Sequence, residues 1–287
     1  MLRRSSSQDA SIAGSGRPLT ALVTGASSGI GEATARRLAR EPGARLILVA
    51  RREERLRRLV GELDSPTTFL AVDLTAEDAP ARVLDHVQAH HERLTLLVNN
   101  AGASWRSTFA DGGYANVRRT MDLNFDAVVR LTEALLGLLR SSAPAAIVNV
   151  ASTASRVARP GAGAYSAAKF ALAGWSDALY AEERPHGVHV GVVLPGFIAT
   201  EGFPARELLA SRVTRRIVST PRHAAEAIVD ASLRGRPERY VPRPYYLAAC
   251  ARLLLPGLTR RVLGGGGASV FTTQTGADVA EGGAPGV

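Results

Sequence analysis

The strongest constraint on the fold is the alternation of short apolar runs with longer stretches of helical periodicity. Runs of this length are typical of buried strands, and strands that alternate with helices predict repeated βαβ units. Seven such runs occur, at Leu19–Val23, Arg45–Ala50, Thr68–Val72, Leu94–Val98, Ala145–Val150, Val188–Leu194 and Arg239–Val241. We therefore predict an α/β fold in which a doubly wound sheet is flanked by helices.

The length and composition of the chain fit one large domain with flanking segments. A chain of 287 residues with 46% hydrophobic content is long enough for a single core. We expect residues 1–17, rich in Ser, Gly and Arg, to form a disordered leader that lacks the apolar centre of a secretion signal. The domain is predicted over residues 18–244, an amphipathic extension over 245–263 and a disordered tail over 264–287.

Cysteine, histidine and charge content exclude several kinds of site. The single cysteine, Cys250, excludes an intrachain disulfide and fits a reducing cytoplasm. His86, His90 and His91 share a predicted helix without a carboxylate or cysteine at ligand spacing, so we predict surface residues and no metal site. The net charge of +9 comes from scattered arginines without interleaved aromatic residues, which indicates solvated helix faces and no nucleic-acid partner.

A glycine-rich turn follows the first apolar run. It reads Thr24-Gly25-Ala26-Ser27-Ser28-Gly29-Ile30-Gly31 and opens a helix predicted from Glu32 to Arg40. Glycines here let backbone N–H groups and the helix N-terminus approach a pyrophosphate. The spacing is Gly-x-x-x-Gly-x-Gly, but the strand before it and the helix after it favour a dinucleotide site. Its candidate residues are Gly25, Ser27, Ser28, Gly29, Ile30 and Gly31.

A possible reaction centre lies beyond the fifth apolar run. Ser152 follows this run, where open α/β sheets place ligands. Tyr165 and Lys169 are four residues apart, so on a helix both side chains share one face. Lys169 is the only lysine among the 35 lysine and arginine residues of the chain. The alternative is a helix-surface Tyr and Lys without a partner.

Together these motifs resemble those of the short-chain dehydrogenase/reductase (SDR) family, over about residues 18–245. The resemblance rests on the glycine-rich turn, Asn99-Asn100-Ala101-Gly102, Asn124, Ser152, Tyr165-x-x-x-Lys169 and Pro195-Gly196. It implies a single-domain Rossmann-like fold with a mostly parallel seven-stranded sheet. It also implies a nicotinamide-dependent oxidoreductase that acts on a small-molecule carbonyl or alcohol and forms a homodimer or homotetramer.

The resemblance assigns catalytic roles to four side chains. Tyr165 would be the general acid or base, since a nearby cation can lower a phenol pKa from its usual value near 10. Ser152 would polarise the carbonyl by a hydrogen bond. Lys169 would supply the cation and bind the nicotinamide ribose. Asn124 would hold a water that replenishes the proton, unless it is a core asparagine that bonds only to backbone.

The end of the second apolar run bears on the choice of cofactor. Arg51 and Arg52 stand where an acid would bind the ribose hydroxyls of NAD(H), and arginine pairs instead with a 2′-phosphate. The sequence therefore favours NADP(H) over NAD(H). Similar family members use the first arginine, so Arg51 is the main candidate, with Ser28 and Arg52 as assistants. The alternative is that both arginines only begin a basic helix.

Further cofactor contacts follow from the resemblance. Asp73 would accept a hydrogen bond from the adenine amine, with Leu74 beside it, unless Asp73 is only a loop residue before the next helix. The nicotinamide half is expected to contact Asn100, Ala101, Gly102, Tyr165, Lys169, Pro195, Gly196, Ile198 and Thr200.

The substrate side is the least constrained part of the sequence. Residues 201–219 resemble the substrate-binding lid of the family. The predicted pocket consists of Ser152, Ala154, Trp105, Phe197 and Phe203. Most of these are apolar, and no arginine or lysine is evidently placed to bind a carboxylate. The sequence therefore favours a hydrophobic ketone, aldehyde or secondary alcohol.

The extension at 245–263 is apolar but interrupted by Arg252, Pro256-Gly257 and Arg260-Arg261, so it does not predict a membrane span. It would either dock near the active-site mouth of its own or a partner subunit, or lie peripherally on a membrane. Subunit contacts are expected through Leu135, Leu139, Ala173 and Leu179.

Two other functions stay open. A cofactor-binding regulatory protein would share the fold without turnover, but it would not need Asn124, Ser152, Tyr165 and Lys169 together. A member of the same fold that catalyses epimerisation or elimination would use these residues without net oxidation of the cofactor.

Overall fold

Seven parallel strands form the central sheet of the structure, a computed structural model that describes residues 12–14, 16–201 and 218–264. The described residues contain the strands β1 (Thr20–Thr24), β2 (Arg45–Ala50), β3 (Thr67–Ala71), β4 (Leu96–Asn99), β5 (Ala145–Val150), β6 (Val188–Pro195), β7 (Phe197–Ile198), β8 (Val218–Ser219) and β9 (Glu238–Val241). The sheet has the order β3-β2-β1-β4-β5-β6-β9, and β7 pairs separately with β8. The order reverses between β1 and β4, where such sheets bind ligands beyond the carboxyl ends of the strands.

Helices cover both faces of the sheet. They are α1 (Gly29–Leu38), α2 (Glu53–Gly61), α3 (Ala79–His90), α4 (Phe109–Met121), α5 (Ala127–Ser141), α6 (Gly163–Glu183), α7 (Pro221–Ser232), α8 (Tyr245–Leu254) and α9 (Pro256–Gly264). One core cluster joins the sheet to α1, α2 and α7, and a second joins the other face to α3, α5 and α6. This is the three-layer arrangement of a doubly wound domain.

The predicted fold class and the seven strands of the sheet are confirmed. Both ends of each predicted strand lie within two residues of the ends of the observed strand. Every residue of β1 and β5 is buried, which is expected of parallel strands covered by helices on both faces. The short β7–β8 pair was not predicted, because two-residue strands leave no periodic pattern.

The described residues of the predicted leader contact the domain. Ile12–Gly14 form a short 3-10 helix, and the Ile12 side chain is buried in a core cluster. The Arg17 guanidinium donates a 2.7 Å hydrogen bond to the Ala143 carbonyl oxygen. Burial of one large apolar side chain contributes roughly 1.5–3 kcal/mol and fixes this segment despite its polar composition. Residues 1–11 and 15 lie outside the described residues.

The C-terminal extension forms the two helices α8 and α9. Large apolar side chains are exposed along both, namely Tyr246, Leu247, Leu253, Leu254, Leu255, Leu258 and Val262. Across the described part of the chain, no helix has the length and hydropathy that a membrane crossing requires. Gly264, assigned to the tail, is the last residue of α9, and residues 265–287 lie outside the description.

Two predictions about surface positions are wrong. Leu135, Leu139, Ala173 and Leu179 are buried in the core of this subunit and do not form an outer face. Helices α5 and α6 turn these side chains inward because the sheet is the larger apolar surface available to them. His91 is also buried, and burial lowers the pKa of its imidazole.

Candidate active site

The predicted dinucleotide turn lies at the carboxyl end of β1 and is closely surrounded. A Cβ added to Gly25, whose φ is +64°, would lie 2.9 Å from the Ala101 Cα, and one added to Gly31 would lie 2.2 Å from the Gly25 carbonyl oxygen. No other residue type fits these positions without displacing backbone. Helix α1 begins within the turn at Gly29, so its first N–H groups face the crevice and can bind an anion.

Thr24 connects this turn to the end of β4. Its hydroxyl accepts hydrogen bonds from the backbone N–H groups of Asn100 and Ala101, at 2.9 and 3.0 Å. The Asn100 side-chain amide donates in return to the Thr24 carbonyl oxygen, at 2.9 Å. One residue earlier, the Asn99 amide donates to the Asn149 side chain on β5 at 2.9 Å. These bonds hold the ends of three neighbouring strands in one arrangement.

Asn124 lies in a π-helical turn, Asp122–Asp126, between α4 and α5. Its amide nitrogen donates to the carbonyl oxygens of Ala103 and Thr120, at 2.9 and 3.0 Å. Its buried Oδ1 accepts no hydrogen bond from any residue within the described ranges. Gly102 leaves space beside it, since a Cβ there would lie 2.7 Å from Oδ1 and 3.4 Å from the Lys169 ammonium nitrogen. The unpaired amide oxygen and the ammonium therefore face the same space.

Lys169 is buried on α6, with a side chain only 3% exposed. Its Nζ donates a 2.9 Å hydrogen bond to the Val150 carbonyl oxygen and lies 5.7 Å from the centre of the Tyr165 ring. Burial lowers the pKa of the ammonium to about 8, because desolvation disfavours the charged form. At neutral pH the group still carries its proton.

Ser152 and Tyr165 meet at the end of β5. The Ser152 hydroxyl donates to the Pro195 carbonyl oxygen at 3.2 Å and accepts from the Ala154 N–H at 3.1 Å, and it is close enough to the Tyr165 phenol to influence its pKa. Burial raises the phenol pKa, while Ser152 and the charge of Arg159 oppose that rise. The phenol is thus a protonated hydrogen-bond donor at neutral pH.

The two arginines after β2 have different surroundings. The Arg52 guanidinium donates to the Ser28 hydroxyl at 2.6 Å and to the Ser27 hydroxyl at 3.2 Å. Arg51 is 71% exposed, and its guanidinium lies 3.7 Å from the Asp73 carboxylate. Arg52, the residue predicted as an assistant, is therefore the one that is held against the glycine-rich turn.

Two acidic side chains accompany these arginines. Partial burial opposes ionisation of Asp73, but hydrogen bonds from the Thr75 backbone and hydroxyl outweigh it, so the Asp73 pKa is lowered. Leu74 beside it is buried. The Glu201 carboxylate lies 2.6 Å from the Arg55 guanidinium and 3.9 Å from that of Arg52. The Glu201 carboxylate therefore lies at one side of the cluster formed by Arg51, Arg52 and Arg55, called the basic cluster below.

Two of the predicted pocket residues, Phe197 and Trp105, each lie against an arginine. Phe197 is buried, with the Tyr245 ring packed edge-on against it at 6.5 Å and the Arg159 guanidinium carbon 4.6 Å from its ring centre. Ala154 is also buried. Trp105 lies under the Arg119 guanidinium, 4.6 Å from its ring centre. Phe203 lies outside the described residues.

The remaining predicted contacts lie on the same side of the sheet. Pro195 ends β6, and Ile198 is buried in β7. The Thr200 Cγ2 would be 3.2 Å from a Cβ on Gly29, so the segment after β7 approaches the glycine-rich turn. Gly196 lies against Tyr245, whose ring carbon would be 2.3 Å from an added Cβ. In the described portion, His, Cys, Asp and Glu do not cluster in threes as metal ligands.

Comparison with known proteins agrees with this geometry. A model of the short chain dehydrogenase family matches residues 19–207. The chain belongs to this family. Among its relatives, dehydrogenase/reductase SDR family member 7B of Xenopus laevis is 34% identical over 191 residues, which cover 62% of this chain and 58% of that protein.

Two bacterial members of the family are similarly related. Sulfoacetaldehyde reductase 2 of Chromohalobacter salexigens is 37% identical over 184 residues, covering 63% of this chain and 73% of that protein. Nodulation protein G of Rhizobium sp. strain N33 is 30% identical over 245 residues, covering 85% and 95%. The chain spans about three fifths of the length of the vertebrate member 7B relatives that it matches.

Two residues at the candidate site were missed by sequence reasoning. Arg159 lies in the loop before α6, where no periodic pattern indicates the direction of a side chain. Tyr245 begins the extension, and only the alternative of docking near the active-site mouth pointed to it. The sequence did not indicate the position of Arg159, whose guanidinium carbon lies 4.6 Å from the ring centre of the predicted pocket residue Phe197. Family motifs do not include these positions, so neither could be transferred by resemblance.

Proposed function

We propose that the protein is an NADP(H)-dependent oxidoreductase that transfers a hydride between the nicotinamide and a carbonyl or secondary alcohol. The observation that carries the proposal is the convergence of Ser152, Tyr165 and Lys169 beside the glycine-rich turn. This arrangement joins a general acid, a carbonyl-binding hydroxyl and a buried cation. Family membership supports a nicotinamide cofactor, and the residues of the chain support its placement.

The chain has a cradle that fits a dinucleotide. Gly25 and Gly31 keep side chains out of the turn, and the start of α1 presents N–H groups to a pyrophosphate. Asn100, Ala101, Gly102, Gly196, Ile198 and Thr200 would hold the nicotinamide half, with Asp73 and Leu74 at the adenine. The bound nicotinamide supplies or accepts the hydride.

The side chains at the site account for the proton. The Ser152 hydroxyl would hold the substrate carbonyl oxygen next to the Tyr165 phenol, which donates its proton during reduction and accepts one during oxidation. Positive charge at Lys169 would stabilise a phenolate formed in this step. The unpaired Oδ1 of Asn124 and the ammonium of Lys169 face one space, which suits a water that returns the proton.

The preference for NADP(H) rests on the basic cluster after β2. A 2′-phosphate there would receive charge-assisted hydrogen bonds from Arg52 and the Ser28 hydroxyl, with Arg51 at the exposed side. An acidic residue that would bind both ribose hydroxyls of NAD(H) is missing at Arg51 and Arg52. We assign the larger share of phosphate binding to Arg52.

The broader setting remains proposed. We also propose that the enzyme is cytoplasmic and forms a homodimer or homotetramer. Because the residues first expected at the subunit contact are buried, we propose instead the exposed Phe109 and Tyr114 on α4 and Phe170 on α6. Apolar walls at Ala154 and Phe197 fit the carbon chain of a substrate. The regulatory and non-redox alternatives are separated from this proposal by net oxidation of the cofactor.

The test is a comparison of wild type with Tyr165→Phe. Each protein is scanned with NADPH and NADH against a panel of ketones and aldehydes while absorbance of the reduced cofactor is followed. We expect oxidation of NADPH by the wild type that is lost in the variant, because phenylalanine cannot transfer the proton. Tight NADPH binding without turnover across the panel would favour the regulatory or non-redox alternative.

A further inference from the structure

A half-buried arginine lies on the substrate side of the candidate site. Arg159 belongs to the loop that precedes α6, and its guanidinium carbon is 4.6 Å from the centre of the Phe197 ring. Its charge is close enough to Tyr165 to oppose the rise in the phenol pKa. Arg159 is therefore close to both Phe197 and the proposed proton donor.

A second arginine approaches from a neighbouring loop. Arg106 follows β4, and its charge acts on Arg159. The two loops are joined next to these residues, because the Ser107 backbone N–H donates a 3.0 Å hydrogen bond to the Gly161 carbonyl oxygen. Burial lowers the pKa of Arg159, and the neighbouring charge of Arg106 lowers it further. The positive charge of Arg106 therefore adds to the positive potential around the Arg159 guanidinium.

Among the described residues, no carboxylate forms an ion pair with the Arg159 guanidinium. Arg156 in the same loop pairs with Glu238 at 2.9 Å, and Glu201 is bound by Arg55 at 2.6 Å. The Arg159 guanidinium has no hydrogen bond or ion pair with a residue of ranges 12–14, 16–201 and 218–264, and only the backbone carbonyl of Arg159 is bonded, to the Ala162 N–H at 3.2 Å. The nearby Tyr245 stays neutral, since burial raises the pKa of its phenol to about 12.

Stacking alone does not account for this arrangement. A guanidinium that lies over an aromatic ring is attracted by its face but keeps N–H donors at its edge. Those donors are oriented in a fork that matches the oxygens of a carboxylate or sulfonate. Partial burial strengthens any such contact, because fewer water molecules compete for the donors.

We propose that Arg159 binds an oxyanion of the substrate, so the preferred substrate is an aldehyde or ketone that carries a carboxylate or sulfonate. The apolar wall at Phe197 would hold the carbon chain between that oxyanion and the carbonyl. This inference rests on the proposed function and narrows its substrate from a hydrophobic carbonyl compound to one with a charged end.

The test compares two aldehydes with the same carbon backbone, one with a free carboxylate and one with a neutral ester. Succinic semialdehyde and its neutral methyl ester are reduced with NADPH by wild type, Arg159→Leu, Arg159→Lys and Arg93→Gln. Arg93 is exposed before β4, at the opposite end of the sheet from the candidate site, and serves as the charge-matched control. The readout is the ratio of kcat/KM for the acid to kcat/KM for the ester. A substitution that only disturbs Tyr165 lowers both values equally and leaves this ratio unchanged.

We expect the ratio to exceed 1 in wild type and in Arg93→Gln, and to fall roughly 10- to 100-fold in Arg159→Leu, mostly through KM. Arg159→Lys should retain part of the preference for the acid, because lysine keeps the positive charge but lacks the planar guanidinium that can form two parallel hydrogen bonds. An unchanged ratio in Arg159→Leu, with both aldehydes still reduced, would overturn the oxyanion site and leave the oxidoreductase proposal intact.

If neither aldehyde is reduced, calorimetric titration decides the oxyanion site separately from the reaction. Succinic semialdehyde is titrated into NADPH-loaded wild type and Arg159→Leu. Saturable binding that weakens at least tenfold in the variant would support the site despite failure of the proposed function. Equal binding, or no binding to wild type, would contradict it.

Discussion

The Lys169 ammonium donates a 2.9 Å hydrogen bond to the carbonyl oxygen of Val150, the last residue of β5. This bond fixes α6 against the strand end that leads to Ser152. Tyr165 lies one helical turn before Lys169, so the same contact sets the distance between the phenol and the Ser152 hydroxyl. The placement of the candidate catalytic side chains therefore follows from the packing of one helix on one strand.

The buried Lys169 should reduce stability at neutral pH. Its pKa of about 8 in the folded protein lies below the value near 10.4 of an unfolded chain. Between these values the unfolded state binds more protons, so stability rises with pH, and below pH 8 the buried charge costs up to about 3 kcal/mol. Urea unfolding of wild type and Lys169→Met at pH 7 and 10 measures this.

We expect the stability of Lys169→Met relative to wild type to be greater at pH 7 than at pH 10. Loss of the hydrogen bond to Val150 lowers the variant's stability at both pH values and does not affect this comparison. A difference that is the same at both pH values would contradict the assigned cost of the buried ammonium.

Arg52 should contribute more than Arg51 to discrimination between the two cofactors. Removal of a charge-assisted bond to phosphate costs about 1.5–3 kcal/mol, so Arg52→Gln should raise the KM for NADPH roughly 10- to 100-fold. The KM for NADH should change little, because it lacks the phosphate. Arg51→Gln is the comparison variant and should have a smaller effect, since its side chain is largely exposed. Steady-state kinetics with both cofactors measure this.

A larger effect of Arg51→Gln would restore the assignment suggested by family resemblance. No effect of either variant on NADPH would contradict the proposed preference for NADP(H).

Glu201 should compete with the 2′-phosphate. Its carboxylate lies on Arg55 and near Arg52, on the side where the phosphate is proposed to bind. Glu201→Gln removes this negative charge, and exposed pairs of this kind contribute little, so NADPH should bind only up to about fivefold more tightly. Fluorescence titration measures the affinity. Glu54→Gln, which removes an exposed carboxylate paired with Arg57, is the control and should leave it unchanged.

The fold was largely predictable, because each central strand is a continuous apolar run that must be buried on both faces. The spacing of Tyr165 and Lys169 likewise predicts a shared helix face. Other features depend on tertiary contacts without a local signal. Leu135 and Leu139 were predicted to lie on an outer face of α5, although α5 directs them toward the sheet. The position of Arg159 depends on the loop before α6, which has no periodic pattern.

The exposed leucines of α8 and α9 should support peripheral binding to a membrane. Leu253, Leu254 and Leu258 lie close to Arg252, Arg260 and Arg261, a combination suited to anionic lipid surfaces. Each inserted leucine contributes about 1.5–3 kcal/mol, so replacing all three with Gln should weaken binding at least tenfold. Co-sedimentation with phosphatidylserine-containing vesicles measures this, with phosphatidylcholine vesicles as the control.

Equal sedimentation of wild type and the triple variant would contradict membrane contact through these residues. A change in the mass of the assembly in the triple variant would instead assign the leucines to a contact between subunits.

The most direct test of the central claim is transfer of deuterium from NADPH labelled at C4 of the nicotinamide. Wild type is incubated with a reducible aldehyde and each of the two stereoisomers of the labelled cofactor, and the product is examined by mass spectrometry. We predict one deuterium on the new alcohol carbon from one stereoisomer only, at a rate about 10²- to 10⁴-fold lower in Tyr165→Phe. A substrate converted without consumption of NADPH, or an alcohol without label, would contradict hydride transfer at this site.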